Sequence, residues 1–360
     1  MSHMMSRRQF VKRMLAFLAV LSGGGYAASR MLEKEMPTAA TLPTANAAES
    51  AQPKDKTSGQ AADPALLLSF FLLSDLHISV ADDAMEKKLH MALKDVSSFE
   101  SDVDAIVLGG DLTDFGRSIE YKRLKAVMDA YKLPPVYANM GNHDYYDIWL
   151  TSAGAFSTET MPNGKTDAMS RERFLKFFGY EKPYFDVWVN GVHLILLSQE
   201  VYVQEKPEVG EGAWYSDEQL AWLEETMKVH KDGRPAFVFI HQPLPEPGTD
   251  GGSHRLIRAK RFRAILKPYR NVFVLSGHSH RNFEGEDHYN RQNTFHWFNN
   301  ASVGKTRPKA DGKAKAPSQG MYVQVYRDKV VVKGREFSDR SWIDSAVWTV
   351  PLKGAAPAKA

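Results

Sequence analysis

The chain has no cysteine. Disulfides and thiolate metal sites are therefore excluded, and any metal must be held by imidazole, carboxylate or amide oxygen. A large charge excess is missing as well. The formal net charge is +3, from 46 Lys and Arg against 43 Asp and Glu. That small excess comes from the front of the chain, where residues 1–47 hold six basic residues (Arg7, Arg8, Lys12, Arg13, Arg30, Lys34) and two acidic ones (Glu33, Glu35). The remainder is close to neutral, which gives no electrostatic basis for nucleic-acid binding. Long apolar runs are scarce. One extends from about Met14 to Ala28, is interrupted by Gly23-Gly24-Gly25, and is short for a membrane span of roughly 20 residues. No internal repeat and no second linker stand out, so the composition, 43% hydrophobic and 25% charged, reads as one globular domain.

The apolar run follows Ser6-Arg7-Arg8-Gln9-Phe10-Val11-Lys12. A basic stretch ahead of an apolar one is the pattern of a signal peptide, and the paired arginines with Phe10 and Lys12 resemble a twin-arginine export signal. A single basic-flanked anchor helix is the alternative. Met1 to Met4 read equally well as native sequence or as a cloning remnant. Ala45-Asn46-Ala47 fits a small-x-small cleavage site, and Ala27-Ala28 fits it less well. Residues 31–64 are rich in Ala, Thr, Pro, Ser and Lys and carry no apolar period, as a linker would. The expected organisation is a signal over 1–47, a linker over 48–64, one domain over 65–353 and a flexible tail over 354–360. The expected location is periplasmic or otherwise extracytoplasmic, with the twin-arginine export machinery as a partner.

Inside the domain, short apolar runs alternate with helical patterns. Leu66 to Leu73 is nearly continuous in apolar residues, as a strand buried on both faces requires. Residues 83–98 place Met85, Leu89, Ala92, Leu93 and Val96 on one helical face. A second strand over 105–108, a helix carrying Leu124, Val127, Met128 and Tyr131, and a third strand over 135–138 complete a βαβαβ unit. Residues 145–180 break the rhythm and read as an insertion. Tyr184 to Ser198 is predicted as a hairpin around Asn190-Gly191. Ser216 and Gln219 fit a capping box. Further strands are predicted over 236–240 and 271–275, with a basic helix between them at about 256–267. A hairpin around Arg327-Asp328 and a strand near 346–350 follow. The fold class is α/β.

Five predicted strands end in metal-ligating residues: Asp75-Leu76-His77, Gly110-Asp111, Gly141-Asn142-His143-Asp144, His241 and Gly277-His278-Ser279-His280. Ligands of open α/β sheets bind at the carboxyl ends of strands. Residues two apart on a strand share a side, so Asp75 with His77, and His278 with His280, are each predicted to aim at one point. Each block alone is weak, and a lone His241 is more often structural. The oxygen and imidazole donors suit Mn, Fe or Zn, and Asp111 is the candidate bridge between two ions.

Taken together and in this order, the blocks resemble the calcineurin-like metallophosphoesterase family, whose pattern is D-x-H, G-D, G-N-H-D/E, H and G-H-x-H. The resemblance spans about 205 residues and implies a four-layer α/β/β/α sandwich with the metal site at strand C-terminal ends. It implies two divalent or trivalent ions, with Mn and Fe favoured. Asp75, His77, Asp111 and His280 would hold the first, and Asp111, Asn142, His241 and His278 the second. His143 would be the proton donor and Asp144 would orient it. The two ions would neutralise phosphoryl oxygens and lower the pKa of a bound water, giving hydrolysis of a small phosphate ester. The purple acid phosphatase branch is disfavoured, because Asp114 stands where that branch has a tyrosine ligand.

The Ser-Asp-Leu-His and Gly-Asp-Leu-Thr-Asp forms look most like the branch containing cyclic-nucleotide phosphodiesterases. Export makes extracytoplasmic diesters such as lipid headgroups, wall polymers or scavenged nucleotides comparable targets. A phosphomonoesterase using the same site, and a non-catalytic metal-binding envelope protein, are the alternatives. The loops over 145–180, 199–215 and 246–255 read either as a substrate lid or as aromatic packing. Arg255, Arg258, Lys260, Arg261 and Arg263 read as a solvated helix face, or else as an attractor for an anionic substrate or a peripheral membrane surface.

Overall fold

The computed structural model describes residues 66–285, 287–292, 294–308 and 317–354. The expected signal, its linker and residues 355–360 of the tail lie outside the described residues. In chain order the strands are β1 (Leu66–Leu73), β2 (Ala105–Gly109), β3 (Val136–Asn139), β4 (Phe185–Val189), β5 (Val192–Leu196), β6 (Ala236–Phe239), β7 (Val272–Ser276), β8 (Tyr289–Gln292), β9 (Phe295–Asn299), β10 (Gln319–Tyr326), β11 (Lys329–Glu336) and β12 (Ser341–Pro351). The α-helices are α1 (Ala84–Ser97), α2 (Ser118–Asp129), α3 (Asp167–Phe178), α4 (Asp217–Met227) and α5 (Ala259–Leu266).

Alternation along β1 shows how the layers arise. Leu68, Phe70 and Leu72 enter one core, while Phe71 and Leu73 enter another, because successive side chains of a strand point to opposite faces. The Phe71 side packs on residues of α1 and α2, including Leu89, Leu93, Leu124 and Met128. The Phe70 side meets Leu194, Phe237, Phe239 and Phe273 of a second sheet. In turn, Ile195, Val238 and Val274 of that second sheet face Leu220, Leu223, Phe262 and Leu266 of α4 and α5. The result is a four-layer α/β/β/α sandwich. One sheet runs β12-β11-β10-β1-β2-β3 and the other β4-β5-β6-β7-β9-β8. Central pairs β1–β2, β2–β3, β5–β6, β6–β7 and β7–β9 are parallel, so their carboxyl ends share one edge of the molecule.

Three features depart from the sequence reading. The presumed insertion contains a 3₁₀ turn over His143–Trp149 and the helix α3. That helix has a Thr166 N-cap accepting from Met169 and a left-handed Gly179 at its end. The hairpin β8–β9 was not expected; β9 extends the second sheet beside β7. The capping box at α4 is half formed. Ser216 Oγ accepts from Gln219 N at 3.0 Å, but Ser216 N donates to Glu200 at 2.6 Å, and the Gln219 amide turns inward to the Ser198 carbonyl at 3.0 Å.

One buried ion pair fixes α1 to the first sheet. Arg335 on β11 donates Nε to Asp95 Oδ2 at 2.8 Å and Nη2 to Asp95 Oδ1 at 3.0 Å. Both residues are at most 5% exposed, and the guanidinium stacks 4.6 Å from the Trp342 ring. Removing one partner leaves the other charge buried and unpaired. Asp95→Ala should therefore lower unfolding free energy by about 3 kcal/mol in urea titrations; a loss below about 1 kcal/mol would mean that water relieves the arginine.

Candidate metal centre

β1 ends at Leu73 and β7 at Ser276, so Asp75, His77, His278 and His280 all lie beyond their strands. The pleat does not aim them. Asp75, His77, Asp111, His278 and His280 instead have φ of 56°, 51°, 50°, 67° and 53°, a left-handed conformation uncommon for side chains with a Cβ and concentrated at functional sites. The turns latch one another through Asp75 N to Gly110 O at 2.9 Å, His77 N to Asp111 O at 3.0 Å and Gly277 N to His241 O at 2.9 Å. Gly141 is needed for close approach: a Cβ there would come within 2.2 Å of Asp111 Oδ1 and 2.7 Å of the His241 ring.

The expected residues converge as two adjoining groups. Asp75, His77, Asp111 and His280 each offer an atom within 4.8 Å of the others, and Asp111, His241 and His278 do the same. Asp111 belongs to both. Asn142 joins the second group, with Oδ1 3.0 Å from His278 Nδ1. Nε2 of His77 lies 3.0 Å from Nε2 of His280, which is itself 3.1 Å from Asp75 Oδ1. His241 Nδ1 faces the Gly109 carbonyl at 2.8 Å, which fixes the tautomer and leaves Nε2 directed inward. That nitrogen is buried, sits 3.1 Å from Asp111 Oδ2, and has no hydrogen-bond partner. An orphaned ring nitrogen beside a shared carboxylate, within a sulfur-free set of N and O donors, fits a pair of cations.

His143 lies beside both groups and is 13% exposed at its side chain. Its Nδ1 is 3.1 Å from the Asp114 carbonyl and 3.5 Å from the Asp114 carboxylate. The Tyr146 ring stacks on it at 4.0 Å, and His77 meets it edge-on at 4.4 Å. Asp144 makes no side-chain hydrogen bond to it, which corrects the expected orienting role. Its carboxylate accepts instead from Thr113 N at 3.1 Å, Thr113 Oγ1 at 2.9 Å, Tyr121 OH at 3.1 Å and Gly141 N at 3.1 Å. Asp144 thus ties the β2 and β3 turns together, and Asp114 is the group that orients His143. The signal was present in Gly-Asp-Leu-Thr-Asp, whose last residue entered the sequence reading as an argument against a tyrosine ligand and as part of a branch motif, not as a partner of His143. Lys305 Nζ reaches Asp114 Oδ1 at 2.6 Å, and nothing in the sequence pointed to it.

Loop aromatics mostly pack. Tyr145 is fully buried and donates to the Gln199 carbonyl at 2.8 Å; Trp149 Nε1 donates to Tyr202 OH at 3.2 Å. The basic helix is locally balanced: Arg258 pairs with Asp217, Lys260 with Asp250 at 3.2 Å and Arg261 with Glu224 at 2.5 Å.

Burial drives His77 and His278 well below the usual imidazole range, toward the neutral form that ligates. Burial also opposes charge on His241, but Asp111 and Asp75 outweigh it and push its pKa up to about 9. Burial likewise opposes ionisation of Asp111, and His241 and His143 overcome it, holding that carboxyl well below its usual range. Burial, then Asp111, pushes Asp144 up to about 6. A cation binding at His241 must displace a proton. Affinity should rise with pH up to about 9, and calorimetry at about pH 7.5 in buffers of different ionisation enthalpy should show release of about one proton per chain. A binding heat independent of the buffer would contradict this. Because the folded value is raised, the His241–Asp111 pairing stabilises the fold below about pH 6.5 and fades as pH passes through about 9.

The profile of the calcineurin-like phosphoesterase family matches residues 68–282, which include every candidate donor. A probable glycerophosphodiester phosphodiesterase of Arcobacter nitrofigilis is 23% identical over 201 residues, 55% of this chain and 64% of that protein. A probable cyclic nucleotide phosphodiesterase of Synechococcus is 25% identical over 228 residues, 62% of this chain and 77% of that protein. Among solved structures, a purple acid phosphatase from yellow lupin seeds superposes with a TM-score of 0.54 at 12% identity, over 79% of this chain and 53% of its own. That likeness concerns the fold. A profile match across more than half of the chain, on the fold and the donor set described above, shows that this chain belongs to the calcineurin-like phosphoesterase family.

Proposed function

We propose that the protein is an exported phosphodiesterase working on two metal ions, Mn or Fe before Zn. The first would be held by Asp75, His77, Asp111 and His280, and the second by Asp111, Asn142, His241 and His278. The observation that carries this reading is the sharing of Asp111 between two adjoining donor groups with His143 beside them. When bound, the ions would neutralise the phosphoryl oxygens and supply an acidified water as nucleophile.

The chain's own part centres on His143. Nδ1–H donates to the Asp114 carbonyl, so Nε2 is the nitrogen left to serve the leaving oxygen. Burial works against charge on this ring, but Asp111 and Asp114 more than offset it, and the pKa is raised. In its protonated form the ring would pass the Nε2 proton to the departing alkoxide. Afterwards the Asp114 carbonyl keeps the neutral ring in place for reprotonation. Lys305 balances the Asp114 carboxylate, which is held well below its usual range: burial opposes this, and Lys305, His143 and His77 together outweigh it.

Diester specificity is supported by the Ser-Asp-Leu-His and Gly-Asp-Leu-Thr-Asp forms, together with the diesters in the names of the two bacterial relatives. The Arg7-Arg8 segment supports an extracytoplasmic substrate carried on a lipid headgroup, wall polymer or nucleotide.

Two experiments test these claims. His143→Ala should lower kcat on bis-p-nitrophenyl phosphate by about 10²- to 10⁴-fold while elemental analysis still finds both metals; loss of metal would reassign the residue, and faster wild-type turnover of p-nitrophenyl phosphate would make the enzyme a monoesterase. Replacing Arg7 and Arg8 together by lysine should leave the protein in the cytoplasm of an expressing bacterium, and undiminished periplasmic recovery would refute the export route.

A further inference from the structure

Glu211 lies in the loop between β5 and α4, is 3% exposed, and has no place in the chemistry described so far. Its carboxylate is surrounded by neutral donors. Oε2 accepts from Asn142 Nδ2 at 2.7 Å and from Tyr146 OH at 2.5 Å; Oε1 accepts from Tyr202 OH at 2.6 Å. The group that Asn142 turns toward Glu211 is therefore its NH₂. The amide oxygen is thereby directed the other way, to 3.0 Å from His278 Nδ1. Gln242 completes the frame: its Nε2 donates to Asn142 Oδ1 at 3.3 Å and to the Glu211 carbonyl at 3.2 Å.

Main-chain contacts keep Glu211 in place. Its loop is clasped to residues 251–257 by Ala213 N to Arg255 O at 3.1 Å, Ile257 N to Ala213 O at 2.9 Å and Glu211 N to Ser253 Oγ at 3.3 Å. The clasp needs a glycine at 212, where a Cβ would meet Gly252 O at 2.5 Å and Arg255 O at 2.8 Å. The second of the clasped segments also carries His254, whose Nδ1 lies 3.3 Å from His278 Nε2. The same two loops therefore reach both Asn142 and His278.

We propose that Glu211 is a positioning residue for the second metal, holding the Asn142 amide with its oxygen toward that ion. The inference rests on the binuclear reading above. An amide free to turn would present NH₂, which cannot ligate, for part of the time. An acceptor behind the amide also strengthens the oxygen as a donor, as outer partners of metal ligands do. Through Tyr146, which stacks on His143, the same carboxylate fixes the face of the proton donor.

Manganese binding without substrate tests this. Wild-type protein, Glu211→Ala and the nearly isosteric Glu211→Gln are titrated with Mn²⁺ by calorimetry and followed by electron paramagnetic resonance. In Glu211→Ala the second affinity should fall about 10- to 100-fold while the first stays unchanged, and the exchange-coupled two-ion spectrum should give way to that of an isolated ion. Glu211→Gln should show the same selective loss to a smaller degree, and it decides the matter if the alanine variant does not fold. Two wild-type-like affinities in the folded variants, or an equal loss at both sites, would overturn the proposal. Fewer than two ions in the wild-type protein would instead sink the binuclear reading, before any variant is considered.

Discussion

Everything at the centre depends on two separately built sheets meeting in register at their carboxyl ends. Asp75, Asp111 and Asn142 come from one sheet; His241, His278 and His280 come from the other. No continuous ladder joins them. A few buried bonds across the seam do so: His241 Nδ1 to Gly109 O, His278 N to Asp75 Oδ1 at 2.9 Å, Asn139 Nδ2 to Leu197 O at 2.9 Å and Asn300 Nδ2 to Leu72 O at 3.1 Å. Each satisfies a polar group that would be costly to bury alone. Behind them, the Phe70, Phe237, Phe239 and Phe273 rings fill the space between the sheets. Apolar burial supplies the attraction between the layers, and the polar seam selects one sliding position among many.

Electrostatics at the seam is a balance rather than an excess of one sign. Asp75, Asp111 and Asp114 stand among His77, His143, His241, His278, His280 and Lys305. Burial alone would neutralise every one of these groups. Mutual pairing keeps some charged, Asp111 and His241 most clearly, and lets others go neutral, as with His77 and His278. This partition leaves Asp111 as an anionic donor and His77 and His278 as neutral ones.

The fold and the cluster of candidate donors were legible in the sequence because both are local. An apolar run, then a glycine or serine, then Asp, Asn or His repeats at four strand ends, with His241 directly after its own apolar run, and each block can be read within a few residues. Residues whose role depends on distant partners were not legible. Glu211 meets Asn142 across 69 positions and Lys305 meets Asp114 across 191; no periodicity connects such pairs. Asp144 shows the opposite error. The resemblance implied that it orients His143, yet its carboxylate bonds to Thr113, Tyr121 and Gly141 instead. Helix α3 was readable in principle from Thr166 and Gly179, but the polar, aromatic character of its surroundings concealed a weak apolar stripe. The β8–β9 hairpin carries His296 and polar flanks that hid its alternation.

The left-handed backbone at Asp75, His77, Asp111, His278 and His280 narrows the residues these positions can accept. Asp, Asn and His tolerate that conformation better than most side chains, and they also supply hard oxygen or imidazole donors. A glutamate could offer the same charge and a glycine the same backbone freedom, but neither offers both at that length. Chain geometry and ligand chemistry therefore filter the alphabet independently and leave the same few letters, so even a substitution that conserves charge would meet a backbone it fits poorly.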